Sequence, residues 1–364
     1  MTSPPQSPPP APAAPSEPPG HLLAVGERVE RRILDLLDHE VARWRSVDPD
    51  LETPLRVLRD LVAAGGKRLR PAFCHWAFVG SGGDPDDPRI VDAGAALELL
   101  HTFALVHDDV MDGSDQRRGR PTVHRAFVDD HQKHGGHSDP RRTGEGAAVL
   151  VGDFAFVYAD QVLGTVIPAA RAIYDELRLE LCVGQYLDLV AAADGGRDAQ
   201  RASRIERFKS GKYTVERPLH LGATLAHDDP ARRDALSAIG LPLGEAFQMR
   251  DDLLGVYGDE RVTGKPVGDD LREGKLTPLV AAAAARVRGA DAALLDRLGA
   301  PDLTPDEIAA LQDLLVTCGA CDEVEQAIAR RTENALDAIA SAPLIPDARL
   351  ALADLARFAA WRDR

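Results

Sequence analysis

Two sets of carboxylates in this chain have a spacing that could do chemistry. Asp108, Asp109 and Asp112 stand in "HTFALVHDDVMD", residues 101–112, and Asp251 and Asp252 stand in "GEAFQMRDDLLG", residues 244–255. On an α-helix, side chains four apart share a face, so Asp108 and Asp112 present oxygens to one side while Asp109 is set apart. Two carboxylates so placed suit Mg2+, which takes one or two protein carboxylates and fills its other positions with water and phosphate oxygens. The residues before each set are largely apolar, which implies buried helices, and a buried carboxylate is costly unless paired or metal-bound. Two such sets suggest facing walls of one cavity, with Gln248 on the face adjoining Asp251 and Asp252.

The basic residues fit the same picture. "GGKRLRP", residues 65–71, puts Lys67 and Arg70 on one helical face; Arg117 and Arg118 follow the first acidic set. Lys209 and Lys212 lie in "FKSGKYTVERP", residues 208–218, and Lys265 and Lys275 flank a Gly-rich acidic stretch. Taken singly each is a solvated cation. Beside two magnesium-type clusters they describe a cavity for diphosphates, with Arg supplying forked hydrogen bonds and Lys point charges.

The elements that must position these groups are helices. Apolar residues recur every three or four positions from residue 21 onward, and β-rich runs are few, so an all-α chain is expected. Its 364 residues, 44% hydrophobic and only 5% aromatic, suit closely packed Ala-rich helices with room for a large cavity. Residues 1–20 read as a disordered proline-rich tail, and residues 21–364 as a single domain. Breaks are expected at residues 80–88, 131–146 and 258–275. A formal charge of −15 argues against nucleic acid as a partner. Four scattered cysteines fit a reducing cytoplasm; Cys318 and Cys321 lack the second pair of a zinc site. His131, His134 and His137 fall in a Gly-rich stretch that reads as a solvated insertion. No apolar run of about 18 residues is evident, so no membrane span is expected.

The chain resembles the trans-isoprenyl diphosphate synthases, or polyprenyl synthetases. The resemblance covers residues 55–279 through GGKRLRP, DDVMD, RRGRPTVH, GQYLDL, KSGKYT, FQMRDDLLG and TGKPVGDD with its trailing EGK, in that order. It implies the isoprenoid synthase fold, a large helical bundle around a deep apolar cavity, as a cytoplasmic homodimer. The implied reaction ionises an allylic diphosphate (dimethylallyl, geranyl or farnesyl) and joins it to isopentenyl diphosphate. By the resemblance, Asp108, Asp112 and Asp251 hold three Mg2+, and Asp109 and Asp252 support them through water. Lys67, Arg70, His101 and Arg118 bind isopentenyl diphosphate; Arg117, Lys209, Ser210, Gln248, Lys265 and Lys275 bind the allylic diphosphate. Gln185 and Asp188 line the same cavity. The helix wheel adds that His101, seven residues before Asp108, lies within about 20° of it.

Gly255 stands where the family commonly has the last aspartate of the second motif, and an aspartate restored there is expected to change little. Ser210 replaces a commoner threonine and His101 a frequent glutamine, which could make isopentenyl diphosphate binding depend on pH. Product length is read from the turn before Asp108. An aromatic at Phe103 followed by a small residue at Ala104 resembles geranylgeranyl (C20) synthases, whereas aromatics at both resemble farnesyl (C15) synthases; Leu100 and Leu97 are the next candidates for a floor. A class I terpene cyclase and a non-catalytic partner subunit are the competing readings. The first should lack GGKRLRP and RRG, and the second should have lost an aspartate motif or its lysines.

Overall fold

The computed structural model describes residues 17–117, 119–194, 198–258 and 267–362. Arg118, Lys265 and most of the proline-rich tail therefore lie outside the described residues. Among the described residues the secondary structure is helical except for a hairpin that pairs Gln116–Arg117 with Arg120–Pro121.

Helices α1 (Gly20–Arg45), α2 (Glu52–Ala63) and α3 (Leu69–Gly80) lead to α4 (Pro88–Asp112), which runs through the middle of the fold. Asp87 caps α4 by accepting from the Arg89 amide at 2.9 Å, Pro88 opens its first turn, and Gly113 closes it with φ of 68°. Residues 93–100 are buried without a break, as an apolar-all-round helix requires. Around α4 pack α1, α3, α5 (Val123–Lys133) and α6 (Pro140–Leu163). Then follow α7 (Pro168–Asp194), α8 (Ala199–Ile205), a π-helical segment (Glu206–Glu216), α9 (Arg217–Ala226) and α10 (Pro230–Tyr257). The chain continues through α11 (Asp269–Glu273), α12 (Pro278–Arg286), α13 (Ala290–Leu295), α14 (Pro305–Thr317), α15 (Ala320–Ser341) and α16 (Pro346–Trp361).

Three expectations need correction. Residues 131–146 are not one long break, because α5 runs to Lys133 and Asp139 caps α6, leaving only 134–139 outside a helix. The hydrogen bonds there are local: the His131 ring meets Ser138 O at 2.9 Å and that of His134 meets Asp130 O at 2.9 Å. Within residues 258–275, the described part includes the short helix α11. Finally, α4 and α6 are both long and apolar enough to cross a bilayer; 61% and 44% of their most apolar windows are buried inside the fold. Alanine lets these helices pack closely while raising their hydropathy, so the core of a helical protein passes the same test.

Candidate active site

A cavity of about 680 Å3 gathers most of the candidate residues. Lys67, in the non-helical stretch before α3, and Arg70, in the first turn of α3, reach it without sharing the helical face expected of them, because the helix starts only at Leu69; His101, Ala104 and Asp108 reach it from α4. Arg117 comes from the hairpin, Gln185 and Asp188 from α7, Lys209 and Ser210 from the π-helical segment. Gln248, Asp251 and Asp252 from α10 and Lys275, just after α11, complete the lining. Of the two acidic sets, Asp108, Asp251 and Asp252 line this one cavity, whereas Asp109 and Asp112 are not in its lining.

On the first wall, Lys209 Nζ donates to Asp108 Oδ1 at 2.9 Å and to Asp188 Oδ2 at 2.6 Å, and Gln185 Nε2 donates to the same Asp108 oxygen at 2.7 Å. Burial opposes ionisation of Asp108, but Lys209, Lys275 and Arg117 outweigh it and hold the carboxyl well below its usual range. Asp112 behaves oppositely. Burial and the neighbouring Asp108 charge push it up to about 6, against the pull of Lys275 and Lys209. Its buried Oδ2 accepts no hydrogen bond, with Lys275 Nζ 3.6 Å away. Asp109 is directed away from the cavity. Arg117 Nε bridges both its oxygens at 2.8 and 3.0 Å while Arg117 Nη2 stands 3.7 Å from Asp108 Oδ2, so Asp109 holds the arginine that faces the site.

The second wall depends on close backbone approach. A Cβ on Gly184 of α7 would lie 2.2 Å from Lys209 N, and one on Gly244 of α10 only 2.4 Å from Gly211 O. These glycines let the π-helical segment sit between α7 and α10, with Lys209 and Ser210 turned to the cavity; π-helical turns recur at functional sites for such reasons. Lys212 points elsewhere, held by Glu180 at 2.7 Å and Glu216 at 3.2 Å. On α10, Gln248 Nε2 donates to Asp252 Oδ1 at 2.6 Å; burial and then Asp270 raise the Asp252 carboxyl well above its usual range.

Gly255 bears on the expectation that an aspartate there would change little, because the Asp270 side chain would have to move to admit one. A Cβ on it would lie 1.9 Å from Asp270 Oδ2, so the Asp270 carboxyl already fills the space of a side chain at 255. Asp270 Oδ1 is bonded in turn by Lys275 Nζ at 3.3 Å, which also pairs with Glu273 at 2.5 Å.

The remaining cations come from the segment at the start of α3. Arg68, with its backbone at φ of 50°, buries its guanidinium against Glu98 at 2.6 Å, Glu30 at 2.9 Å and Val62 O at 2.7 Å. This anchors the segment that presents Lys67 and Arg70. Arg70 donates to Thr214 Oγ1 at 2.9 Å and lies 4.3 Å over the Tyr213 ring, which is 6.2 Å from His101.

Below Asp108 a second cavity of about 190 Å3 continues between α4 and α7, sharing Ala104, Asp108, Leu181 and Gln185 with the first. Ala104 therefore stands at the junction. Phe103 lines the second cavity, its ring 4.9 Å from Phe156 and 4.6 Å from His107. A Cβ on Gly152 would fall 2.3 Å from the His107 ring, so that glycine makes room for the imidazole behind Phe103. Leu97 and Leu100, the next candidates for a floor, are fully buried and line neither cavity.

Reasoning from the sequence missed several groups. Asp270 and Glu273 lay inside quoted motifs but received no role. Glu206 lines the cavity at 4% exposure with a buried Oε1 that has no hydrogen bond, and burial followed by the Asp252 charge raises its carboxyl well above the usual range. Arg362, which bonds Asp251, gave no signal in the sequence pattern.

The donor set fits a hard divalent cation, since Asp108, Asp112 and Asp251 offer only oxygen. Among the described residues no group of three or more His, Cys, Asp or Glu is placed to hold a metal ion by itself.

Comparison with known proteins gives consistent findings. The polyprenyl synthetase family model matches residues 52–315. Geranylfarnesyl diphosphate synthase of Aeropyrum pernix is 31% identical over 319 residues, covering 85% of this chain and 93% of the relative. Geranylgeranyl diphosphate synthase of Mycobacterium tuberculosis is 35% identical over 297 residues, covering 78% of each. Geranylgeranyl pyrophosphate synthase from Corynebacterium glutamicum, solved with isoprenyl diphosphate and magnesium, superposes with a TM-score of 0.88 at 35% identity, covering 96% of this chain and 100% of the other.

Proposed function

We infer, since the chain belongs to the polyprenyl synthetase family and is a trans-prenyltransferase, that it condenses isopentenyl diphosphate with dimethylallyl, geranyl and farnesyl diphosphates to give all-trans geranylgeranyl diphosphate (C20) as main product. The observation that carries this reading is a single cavity lined both by Lys67 and Arg70 and by Arg117, Lys209 and Lys275, the last three gathered around Asp108 and Asp112, with Asp251 and Asp252 in the same lining. Such a cavity accepts two diphosphates and keeps their carbon chains between them.

Each group then has a task. Lys209, Arg117 and Lys275, with Ser210 and Gln248, meet the diphosphate of the allylic substrate and stabilise the charge it gains as the carbon–oxygen bond breaks. Lys67 and Arg70, with His101, hold isopentenyl diphosphate so that its double bond faces the developing cation. Magnesium, on which the family depends, would be held by Asp108, Asp112 and Asp251, three ions in all, and supplies further positive charge to the departing pyrophosphate. The apolar lining, including Leu105, Leu181 and Leu276, excludes water from the cation. The pyrophosphate itself accepts the proton lost at the end. Asp109 and Asp252 act behind this layer, Asp109 on Arg117 and Asp252 through Gln248.

The C20 assignment rests on the floor. Ala104 lines both cavities and Phe103 lines the second, a small residue followed by space that supports one isoprene unit more than an aromatic at 104 would admit; a C15 or longer product is the alternative. Residues 21–364 act as one catalytic domain in this reading. A homodimer is supported by apolar side chains exposed along one face of α6 (Val149, Leu150, Val157) and one of α7 (Leu179, Val183, Tyr186). Water-soluble diphosphate substrates are in keeping with a cytoplasmic location.

The roles separate kinetically. Asp108→Ala is expected to lower kcat by roughly 100- to 1,000-fold, as for loss of a group that stabilises transition-state charge. Arg70→Ala is expected mainly to raise KM for isopentenyl diphosphate. Identical effects of the two substitutions on both constants would contradict the assignment.

A further inference from the structure

Arg362 lies just past α16, yet its side chain is fully buried against α10. Its guanidinium stacks over the Phe247 ring at 4.0 Å, Nη1 donates to Ala359 O, and Nη2 donates both to Phe247 O at 3.3 Å and to Asp251 Oδ1. The contact is reciprocated. Arg250, adjacent to Asp251, donates from Nε to Ala360 O at 2.9 Å and pairs through both terminal nitrogens with Glu325 at 2.8 and 2.7 Å. Two arginines thus tie the end of α16 to the turn of α10 that carries the second acidic set. Asp251 itself is 39% exposed and lines the cavity, and its Oδ2 has no hydrogen bond among the described residues. One carboxylate oxygen is fixed from behind while the other is left to the cavity.

We propose that Arg362 is a positioning residue for Asp251, orienting that carboxylate so that its open oxygen serves the second-wall metal, and that α16 is thereby coupled to metal binding. The inference rests on the reading that Asp251 holds a metal. Partners behind a metal ligand fix its rotamer and tune its basicity, and their loss costs roughly 10- to 100-fold in metal affinity. A guanidinium suits this place because it remains charged when buried and its planar fork fixes direction, which an ammonium does less well. The alternative, that Arg362 only staples α16, predicts a loss of stability with no change in metal binding.

The test uses Mn2+ as a spectroscopic substitute for Mg2+, titrated into the full chain in the presence of inorganic pyrophosphate and counted by electron paramagnetic resonance. Arg362→Met keeps an apolar stem against Phe247 and removes the charge; Arg362→Lys keeps the charge. The expected result is that the class of Mn2+ sites that depends on Asp251 loosens by about tenfold or more in Arg362→Met and recovers in part in Arg362→Lys. Asp251→Asn should abolish that class. Circular dichroism and a thermal melt identify any variant that is not folded, and the Lys variant keeps the comparison available if Met proves unstable. Unchanged Mn2+ binding in folded Arg362→Met, while Asp251→Asn loses the site, overturns the positioning role alone. Tighter binding in Arg362→Met also overturns it, since the arginine would then be competing with the metal. If Asp251→Asn leaves the titration unchanged, the reading of Asp251 as a ligand fails and the inference fails with it.

Discussion

Gly255→Asp restores the residue common in the family, and here it should do harm. The new Cβ would sit 1.9 Å from Asp270 Oδ2 and 2.5 Å from its Cγ, so the Asp270 carboxyl must swing away, disturbing its bond to Lys275. Overpacking of this kind costs about 1–3 kcal/mol. Replacing glycine in a helix interior returns about 1 kcal/mol, so Gly255→Ala should be near neutral to about 2 kcal/mol destabilised. The aspartate adds a like charge beside Asp270 and the buried Asp252; two carboxylates about 4 Å apart repel by about 4 kcal/mol at an effective dielectric near 20. Urea unfolding in chelator should therefore rank wild type at or above Gly255→Ala, with Gly255→Asp lowest by several kcal/mol. Mg2+ with pyrophosphate should narrow the gap for the aspartate variant by neutralising the added charge, and should do little for the alanine variant. If Gly255→Asp is as stable as wild type in chelator, Asp270 does not occupy the space inferred for it.

Three further predictions follow from the same geometry. Ala104→Phe should plug the passage between the two cavities and shift the product toward C15, and Phe103→Ala should lengthen it; chromatographic sizing of the products checks both, and an unchanged distribution in Ala104→Phe removes this turn as the floor. Burial holds the His75 and His220 imidazoles down to about 4, the first helped by Arg28 and the second despite Glu216. Both are neutral when folded and bind protons on unfolding, so their stabilisation is whole above about pH 6.5 and drains away as pH falls toward 4, on the order of 3 kcal/mol each. Urea midpoints that stay flat over that range, or that do not flatten in His75→Gln, would contradict this. Because Asp112 titrates near 6 in the metal-free protein, the Mg2+ concentration needed for half activity should rise by about tenfold per pH unit below 6, and a requirement independent of pH would count against Asp112 as a ligand.

The parts of the site that follow from helical spacing were legible in the sequence. Asp108 and Asp112 share a face because of the 3.6-residue repeat, Asp109 falls to the side for the same reason, and the apolar run before them required a buried α4. That Asp109 turns to Arg117 was not legible, since the pairing depends on the hairpin folding back on the end of α4. The placement of Lys209 depends on a π-helical segment that simple periodicity does not reveal, and its cause, the paired approaches of Gly184 and Gly211 to their neighbours, joins residues far apart in the chain. Arg362 and Glu206 were invisible for a similar reason. One is a lone arginine 111 residues from its partner and the other a lone glutamate, and only tertiary packing brings them to the acidic walls. Product length lies between these cases. Relatives of comparable identity carry the names geranylfarnesyl and geranylgeranyl synthase, so overall similarity does not settle it, whereas the pair Phe103 and Ala104 bears on it directly.

The central claim is that one Mg2+-dependent cavity joins isopentenyl and allylic diphosphates and stops at C20. It is tested most directly by incubating the purified chain with labelled isopentenyl diphosphate and each allylic primer in turn, with Mg2+ or with excess chelator, and sizing the products by chromatography. The account predicts a dominant C20 product from all three primers with Mg2+ and no product in chelator. A main product of C15, or turnover that survives chelation, would contradict it.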